Sequence, residues 1–386
     1  MSGFEQLYLD MQTPLYNDHV GLGARMVPFA GWDMPLVYRG IIPEHLWTRT
    51  QASVFDICHM GEFEIKGATA EADLERLVTG AIASLKTGAC TYGYLLAEDG
   101  GVLDDVICFR LGAERFWLVV NAGTLAGDRE WIRAHLSPRT TFTDLSPAMA
   151  KLDIQGPCAR AAMEAALGQA LPNLRYFHFQ EVNIQDTPCL LSRTGYTGEY
   201  GYELYVPANE VPRFWNLLLK PGQILPAGLG ARDTLRVEMG YPLYGHELRR
   251  EWRPPTSLRY GASGHLAADV AGASRGRFMD MAKPFIGREA VRREMEIGAY
   301  RVLVGLLLEG RMAGRAGDAV LKDGIGVGEL TSGLFAPSLN VAVALAYVDQ
   351  TVSRLGEALA ISVRGKSLNA RVEALPLYKK GTVRLK

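Results

Sequence analysis

The character of the sequence changes near Arg301, and this change limits the possible architecture more than any other feature. Beyond it, short apolar runs alternate with glycines, a pattern typical of closely spaced β-strands and turns. Before it, strand-like and helix-like stretches are mixed. The chain has 386 residues, which exceeds the size at which one hydrophobic core stops growing. We therefore predict an α+β N-terminal part followed by a separate all-β domain.

Hydrophobic periodicity predicts several elements of the N-terminal part. Residues 61–66 alternate between apolar and charged side chains, which indicates a half-buried strand. Further strands are predicted at residues 102–111 and 116–121. In residues 209–220 the apolar side chains recur with the period of a helix, which we expect to pack against a sheet. Residues 249–277 follow neither the period of a strand nor that of a helix. This lack of pattern predicts a long, irregular connection.

Composition and charge disfavour several classes of partner. Lys and Arg total 41 against 42 for Asp and Glu, so no net positive field draws the chain to nucleic acid or anionic lipid. The apolar runs end well short of the roughly 20 residues that a membrane-spanning helix needs. Residues 1–12 show neither a secretory signal nor a transit peptide. We expect a cytoplasmic protein that binds neither nucleic acid nor membrane.

Short metal-binding motifs are absent from the sequence. The five cysteines are scattered without a C-x-x-C pair, and no H-E-x-x-H motif occurs. We expect reduced thiols and no metal.

Two adjacent acids, Asp104 and Asp105, interrupt an apolar stretch that is predicted to form a strand. Neighbours in a strand point to opposite faces, so one of the two carboxyl groups is expected to face inward. A carboxylate in an apolar wall is costly unless it is paired or used, and its pKa tends to rise. Such a group suits a proton acceptor or a holder of a cationic amine. The alternative is a turn acid with a solvated neighbour, which the pair alone favours.

Two further segments combine glycines with groups that can hold a planar or anionic ligand. Residues 195–204 place glycines among tyrosines and glutamates, which suits a flat heterocycle with an N–H edge. Residues 228–240 predict a loop that leads into a short helix, where Arg232 can grip a carboxylate. Each segment has an ordinary alternative. The first can be a turn before a strand, and the second a capped surface helix whose Arg236 pairs with a nearby acid.

Taken in order along the chain, the motifs resemble those of the aminomethyltransferase family, the T-protein of the glycine cleavage system. The similarity spans nearly the whole chain, and an ordered series of this kind is far more specific than any single motif. The matching stretches lie at residues 13–16, 23–32, 55–63, 100–105, 119–122, 155–157, 192–199, 228–238, 244–247, 285–290 and 328–337.

The resemblance implies an α+β fold of three domains in a ring. Two interleaved α/β sandwich parts would occupy residues 1–290, the second of them at roughly 55–140. A C-terminal β-barrel would occupy residues 300–386. In the family, tetrahydrofolate binds in the middle of the ring, so we expect tetrahydrofolate as the cofactor.

The resemblance also implies roles for individual residues. Asp105 matches the acid beside the reacting folate nitrogens and is the predicted catalytic residue. Glu203 matches the carboxylate that pairs with the pterin edge, and Arg232 matches an arginine of the folate site. The other predicted cofactor-binding residues match positions of the cavity wall: Tyr92, Asn121, Tyr176 and Tyr196.

Three functions remain open, of which we predict the first. It is an aminomethyltransferase that uses a lipoylated carrier protein (H-protein) and tetrahydrofolate to give methylene-tetrahydrofolate and ammonia. The second is a folate-dependent demethylase of the same superfamily, acting on a small O-, N- or S-methyl compound. Arginines after Leu248, where the family usually has acids, favour this second function. The third is a non-catalytic folate-binding assembly factor, whose usual motif the sequence lacks.

Overall fold

The computed structural model describes residues 11–250, 278–297 and 301–384. Within these ranges the helices are α1 (Tyr16–Gly21), α2 (Ile41–Thr50), α3 (Ala70–Leu77), α4 (Leu125–His135), α5 (Ala159–Leu167), α6 (Val211–Leu219), α7 (Leu229–Met239) and α8 (Arg288–Ile297). None of them is long and apolar enough to cross a membrane.

The strands account for the larger share of the regular structure in the same ranges. Those before residue 250 are β1 (Met11–Gln12), β2 (Arg25–Phe29), β3 (Trp32–Val37), β4 (Ala52–Asp56), β5 (Gly61–Gly67), β6 (Cys90–Leu96), β7 (Val102–Arg110), β8 (Arg115–Val120), β9 (Thr140–Asp144), β10 (Met149–Gln155), β11 (Phe179–Ile184), β12 (Thr187–Ser192), β13 (Gly201–Pro207) and β14 (Ile224–Pro226). Those after residue 300 are β15 (Arg301–Leu308), β16 (Ala319–Lys322), β17 (Ile325–Ala336), β18 (Val341–Asp349), β19 (Ala358–Val363) and β20 (Lys366–Glu373).

These strands form three open sheets and one closed barrel. A small sheet has the order β1-β3-β2, a five-stranded sheet the order β6-β7-β8-β5-β9, and a six-stranded sheet the order β11-β12-β13-β10-β4-β14. The barrel closes in the order β15-β18-β17-β16-β19-β20. The mixed α+β fold and the C-terminal barrel predicted from the sequence are confirmed.

The five-stranded and six-stranded sheets are interleaved along the chain, because β5 to β9 lie between β4 and β10. The domain limits predicted at 1–290, 55–140 and 300–386 stay predictions. Residues 251–277 of the irregular connection lie outside the described residues.

Strand β5 shows the predicted alternation, but it is more deeply buried than expected. Phe63 and Ile65 are fully buried in the core between the five-stranded sheet and helices α3 and α4. Glu62, on the opposite face, is buried as well, because the six-stranded sheet covers it. Its carboxylate forms an ion pair with Lys151 of β10 at 2.6 Å.

Helix α6 confirms the helix predicted at residues 209–220. Phe214, Trp215 and Leu218 are fully buried against the six-stranded sheet and α5. Burying each such side chain contributes about 1.5–3 kcal/mol. Pro212 lies in the first turn, where a helix does not need the backbone N–H that proline lacks.

Each of the three large β-structures contacts the other two. Phe109 and Trp117 of the five-stranded sheet share a core with Leu190 and Tyr205 of the six-stranded sheet. A second core joins the barrel to Val237 of α7 and to the partly buried Tyr92 of β6. The three bodies therefore meet around β6 and α7, and this region is called the shared interior below.

A buried ion pair ties α7 to the barrel. Arg236 is 1% exposed, and its Nη1 donates to Oε2 of Glu247 at 2.7 Å. Its Nη2 donates to the hydroxyl of Ser332 on β17 at 2.7 Å, and that hydroxyl donates to Oε1 of Glu247 at 2.6 Å. Arg236 also pairs with Asp233, as the surface-helix alternative supposed. The helix itself is buried, because α2, β3 and the barrel together cover it.

We predict that replacing Glu247 by glutamine lowers the stability of the protein strongly. The change leaves the buried charge of Arg236 with only the half-exposed Asp233 as an acidic partner, so the free energy of unfolding should fall by about 3–5 kcal/mol in urea denaturation. Glu210→Gln is the control, because it removes a half-exposed ion pair with Arg213 on α6. It should cost less than about 1 kcal/mol. Equal losses in the two variants would contradict the prediction.

Candidate active site

The two adjacent acids lie on opposite faces of β7, in the middle of the five-stranded sheet. Asp104 is fully buried and faces the helix-covered side, where α4 carries Asp128. Asp105 faces the shared interior and is partly exposed. Both acids belong to a regular strand paired with β6, so the alternative of a turn acid does not hold. The inward-facing carboxyl group that strand geometry required is present.

Asn121, directly after β8, bridges the two acids with one side-chain amide. Its Nδ2 donates to Oδ1 of Asp104 and to Oδ1 of Asp105, each at 2.8 Å. Its backbone N–H donates to Oδ2 of Asp104 at 2.9 Å. The hydroxyl of Tyr92 donates to Oδ2 of Asp105 at 2.9 Å. A carboxylate has about four acceptor positions, so Asp105 keeps acceptor capacity toward the interior.

The surroundings of Asp105 change its acidity. In total the surroundings raise the pKa of Asp105 to about 7; burial contributes most to the rise, and the charge of Asp104 contributes as well. Hydrogen bonds from Tyr92 and Asn121 lower it, because they stabilise the ionised form. Burial, helped by the charge of Asp128, also raises the pKa of Asp104 well above its usual range. A group with a pKa near 7 can accept and release protons at neutral pH, which suits Asp105 to general base chemistry.

A second pair of acids lies on the six-stranded sheet. Asp153 of β10 is directly opposite Glu203 of β13 in the antiparallel register, and both are buried. Thr194 donates to Oε2 of Glu203 at 2.7 Å, and Tyr205 donates to the same oxygen at 3.2 Å. Nη1 of Arg232 donates to Oδ2 of Asp153 at 2.5 Å.

The other oxygen of Asp153, Oδ1, is buried and has no hydrogen-bond partner within the described part of the chain. Burial raises the pKa of Asp153 to about 7, although the charge of Arg232 opposes the shift. A buried acceptor without a donor is unusual in proteins and marks a place where a ligand can bind.

Tyr196 lies between the two acidic groups. The guanidinium of Arg232 is 4.8 Å from the centre of the Tyr196 ring. Burial raises the pKa of Tyr196, the charge of Asp105 raises it further, and the charges of Arg236 and Arg232 lower it. Asp105 and Arg232 therefore act on the same phenol from within electrostatic range.

Tyr176 belongs to the same aromatic group. Tyr196 stacks on Tyr241 with ring centres 5.7 Å apart, and the nearby Tyr241 adds to the effect of burial in raising the pKa of Tyr176. Arg193 lies 5.8 Å from the Tyr176 ring. Tyr176, Tyr241 and Tyr196 therefore form one aromatic group, with Arg193 at one end and Arg232 at the other.

Strand β6 links the two acidic groups. Cys90, at the start of the strand, shares a core with Tyr205, whose hydroxyl donates to Glu203 at 3.2 Å, so Glu203 lies near the start of the strand. Tyr92, two residues further along the same face, donates to Asp105. Two residues of a strand cover roughly 7 Å. The structure thus brings Asp105 and Glu203 to the two ends of one short stretch of β6.

The sequence prediction omits Asp153, although a usable signal was present. Asp153 lies between Leu152 and Ile154 in an apolar strand, the same pattern that singled out Asp105. Among the described residues, no group of three or more His, Cys, Asp or Glu side chains is arranged to hold a metal ion. The binding and catalytic roles assigned to the individual residues stay predictions.

We predict that replacing Tyr92 by phenylalanine raises the pKa of Asp105. A hydrogen bond to a charged group is worth about 1.5–3 kcal/mol, so its loss should shift the pKa upward by about 1–2 units. Isotope-edited infrared titration of the aspartate carboxyl bands measures this shift. The control is Tyr205→Phe, which removes a hydroxyl bonded to Glu203 instead. An unchanged Asp105 band in Tyr92→Phe would show that the bond is absent in solution.

Known protein families match both parts of the chain. The GCVT N-terminal domain matches residues 15–257, and the glycine cleavage T-protein C-terminal barrel domain matches residues 301–379. An aminomethyltransferase from Symbiobacterium thermophilum is 41% identical over 379 residues, covering 95% of this chain and 97% of that protein. An aminomethyltransferase from Desulforamulus reducens is 39% identical over 373 residues, covering 96% of this chain and 98% of that protein.

A solved structure shares the whole fold. The crystal structure of glycine cleavage system aminomethyltransferase T from Bartonella henselae has a TM-score of 0.86 and 33% sequence identity. The match covers 96% of this chain and 99% of that one. The resemblance found in the sequence motifs is confirmed, and the chain belongs to the aminomethyltransferase family, the T-protein family of the glycine cleavage system.

Proposed function

We propose that the protein is a tetrahydrofolate-dependent aminomethyltransferase of glycine cleavage, with Asp105 at the reaction centre. The observation that carries the proposal is the placement of Asp105 and Glu203 at the two ends of one stretch of β6. An acid with a pKa of about 7 thus lies close to a buried acid that can hold a ligand. The family membership supports the same activity.

The residues present fit a pterin ring. A pterin has a flat face and an edge of N–H and NH2 donors, which carboxylate oxygens accept well. Glu203 is 7% exposed, and the neighbouring Oδ1 of Asp153 is a buried acceptor with no donor in the described ranges. Tyr196 and Tyr176 supply flat faces nearby. We assign the pterin edge to Glu203 and the cavity wall to Tyr92, Asn121, Tyr176 and Tyr196.

Arg232 is suited to donating hydrogen bonds to the folate beside the pterin edge. Its side chain is 15% exposed, so part of the guanidinium remains accessible beside Asp153. Arginine is a fixed fork of N–H donors, which gives direction as well as strength. Because Asp153 lies opposite Glu203, Arg232 would bind the folate at the pterin end of the cavity.

Asp105 would act on the reacting nitrogens. Tetrahydrofolate supplies two nucleophilic nitrogens for the one-carbon unit, and their two protons leave with the ammonia and the carrier thiol. Tyr92 and Asn121 each hold one oxygen of Asp105, so the carboxylate points in a fixed direction. It can orient an amine, accept a proton and stabilise positive charge on nitrogen without reorganising.

The donor of the one-carbon unit is the finer part of the proposal. We assign this role to a lipoylated carrier protein and place the reaction in the cytoplasm. The demethylase alternative rested on the arginines after Leu248. Arg250 forms an exposed ion pair with Asp99 at 2.9 Å, and residues 251–277 lie outside the described ranges. No described contact therefore favours a methylated small molecule.

A direct assay tests the function. The protein is mixed with tetrahydrofolate and an aminomethyl-lipoyl carrier protein, and ammonia and methylene-tetrahydrofolate are measured. Turnover is the expected result. Absence of turnover with the carrier, together with transfer from small methylated amines, ethers or thioethers, would favour the demethylase. Tight folate binding without any transfer would favour the assembly factor.

We predict that catalysis depends on the ionised form of Asp105. The value of kcat/KM should rise with pH through about 7 and then level off, because the carboxylate is the active form. Asp105→Asn should lower kcat by about 10²–10⁴-fold, the range typical of general acid–base groups. Asp99→Asn, an exposed acid paired with Arg250, is the control and should behave as wild type. A wild-type rate in Asp105→Asn would remove Asp105 from the mechanism.

We predict that Glu203 determines folate affinity rather than turnover. Glu203→Gln replaces one acceptor oxygen by a donor, which loses a charged hydrogen bond worth about 1.5–3 kcal/mol. The Kd for tetrahydrofolate measured by calorimetry should therefore rise by about tenfold to a hundredfold. Glu199→Gln provides the comparison, because Glu199 is also buried but pairs with Arg49. Equal affinity in wild type and Glu203→Gln would contradict the assignment.

A further inference from the structure

Asp104 is a buried acid that the proposed mechanism does not use. It is fully buried, and it faces the helix side of the sheet rather than the interior that holds Asp105. Its nearest charged neighbour on that side is another acid, Asp128 of α4, which is 2% exposed. Burying two acids together is costly, so a simple packing role does not explain them well.

The contacts of Asp104 lead to Asn121. The backbone N–H and the side-chain amide of Asn121 both donate to the carboxyl group of Asp104, at 2.9 and 2.8 Å. These two bonds fix the position of the Asn121 side chain and the direction of its amide. An amide nitrogen has two hydrogens, and the second one is directed to Oδ1 of Asp105 at 2.8 Å.

The orientation of Asp105 therefore depends on a group it does not touch. Without Asp104, the Asn121 amide could rotate and present its oxygen to Asp105, which would replace an attraction by a repulsion. A rigid support behind a reacting group is what a preorganised site requires. The cost of burying Asp104 is then explained by the fixed direction that it gives to Asp105.

We propose that Asp104 is a positioning residue, an inference that rests on the proposed function. It acts through the side-chain amide of Asn121 to hold the carboxylate of Asp105 in its working orientation. The groups that face this unit are Tyr92 from β6 and Asp128 from α4.

The test uses Asp104→Asn, which preserves shape but replaces one acceptor oxygen by an NH2 group. This group has no lone pair for Asn121, so one of the two bonds is lost. A misplaced reacting group can cost up to about 10²-fold, and we expect kcat to fall by about tenfold or more. The KM values for tetrahydrofolate and carrier should stay within about twofold of wild type, because the lost support matters in the transition state.

A matched control separates positioning from loss of stability. Asp73 of α3 is also a buried acid of the same body, and it accepts bonds from Ser137 and Thr140 away from Asn121. Asp73→Asn should lower the melting temperature without changing kcat. In an Asn121→Ala background, Asp104→Asn should have no further effect on kcat, because the connection is already broken.

Several outcomes would overturn the inference. A folded Asp104→Asn protein with wild-type kcat is one, and an undiminished effect of Asp104→Asn in the Asn121→Ala background is another. If Asp104→Asn does not fold, kcat of Asn121→Ala is measured at saturating folate instead. A wild-type kcat in Asn121→Ala would then contradict the inference.

Failure of the proposed function is distinguishable from failure of the inference. A wild-type protein without turnover counts against the function alone. The inference is then decided by the infrared carboxylate band of Asp105, which Asp104→Asn should shift and Asp73→Asn should not. An unshifted band in Asp104→Asn rejects it.

Discussion

Buried carboxylates need partners, and in this protein the partners come from different parts of the fold. Glu62 of the five-stranded sheet finds Lys151 of the six-stranded sheet, and Glu247 finds Arg236 and the barrel hydroxyl of Ser332. The Glu62–Lys151 pair, and the bonds that Arg236 and Glu247 make to Ser332, can form only when two bodies have docked. Because an unpaired buried charge costs several kcal/mol, the pairs disfavour any arrangement in which the bodies separate or shift. The shared interior between the bodies depends on this docking.

The two acidic groups of the interior are supported in different ways. Asp105 is held by neutral donors, Tyr92 and Asn121, which stabilise its ionised form without cancelling its charge. Asp153 is held by a cation, Arg232, which offsets part of its charge. A carboxylate held by neutral donors retains its ability to accept a proton. The site therefore separates a reactive acid from acids suited to holding a ligand in place.

Much of the fold was predictable, because it depends on local patterns. The alternation in β5, the apolar face of α6 and the glycine-punctuated runs of the barrel are properties of short segments. The depth of burial was not predictable, because it depends on what covers a segment. Glu62 is buried by another sheet, and α7 is buried by the barrel together with α2 and β3. At the site, Asp105 was predictable because it is an acid in an apolar strand. The position of Asp153 opposite Glu203 was not predictable, because it depends on the register between β10 and β13.

The interleaved order of the sheets has a consequence for synthesis on the ribosome. Strand β4 is made early, but its neighbours in the sheet are β10 and β14, which end at Gln155 and Pro226. Until both have emerged, the nascent chain exposes a strand with unpaired edges, a state that invites pairing with other chains. The five-stranded sheet, complete once β9 is made, can form during this delay. Vectorial synthesis thus allows the inserted body to fold before its host sheet.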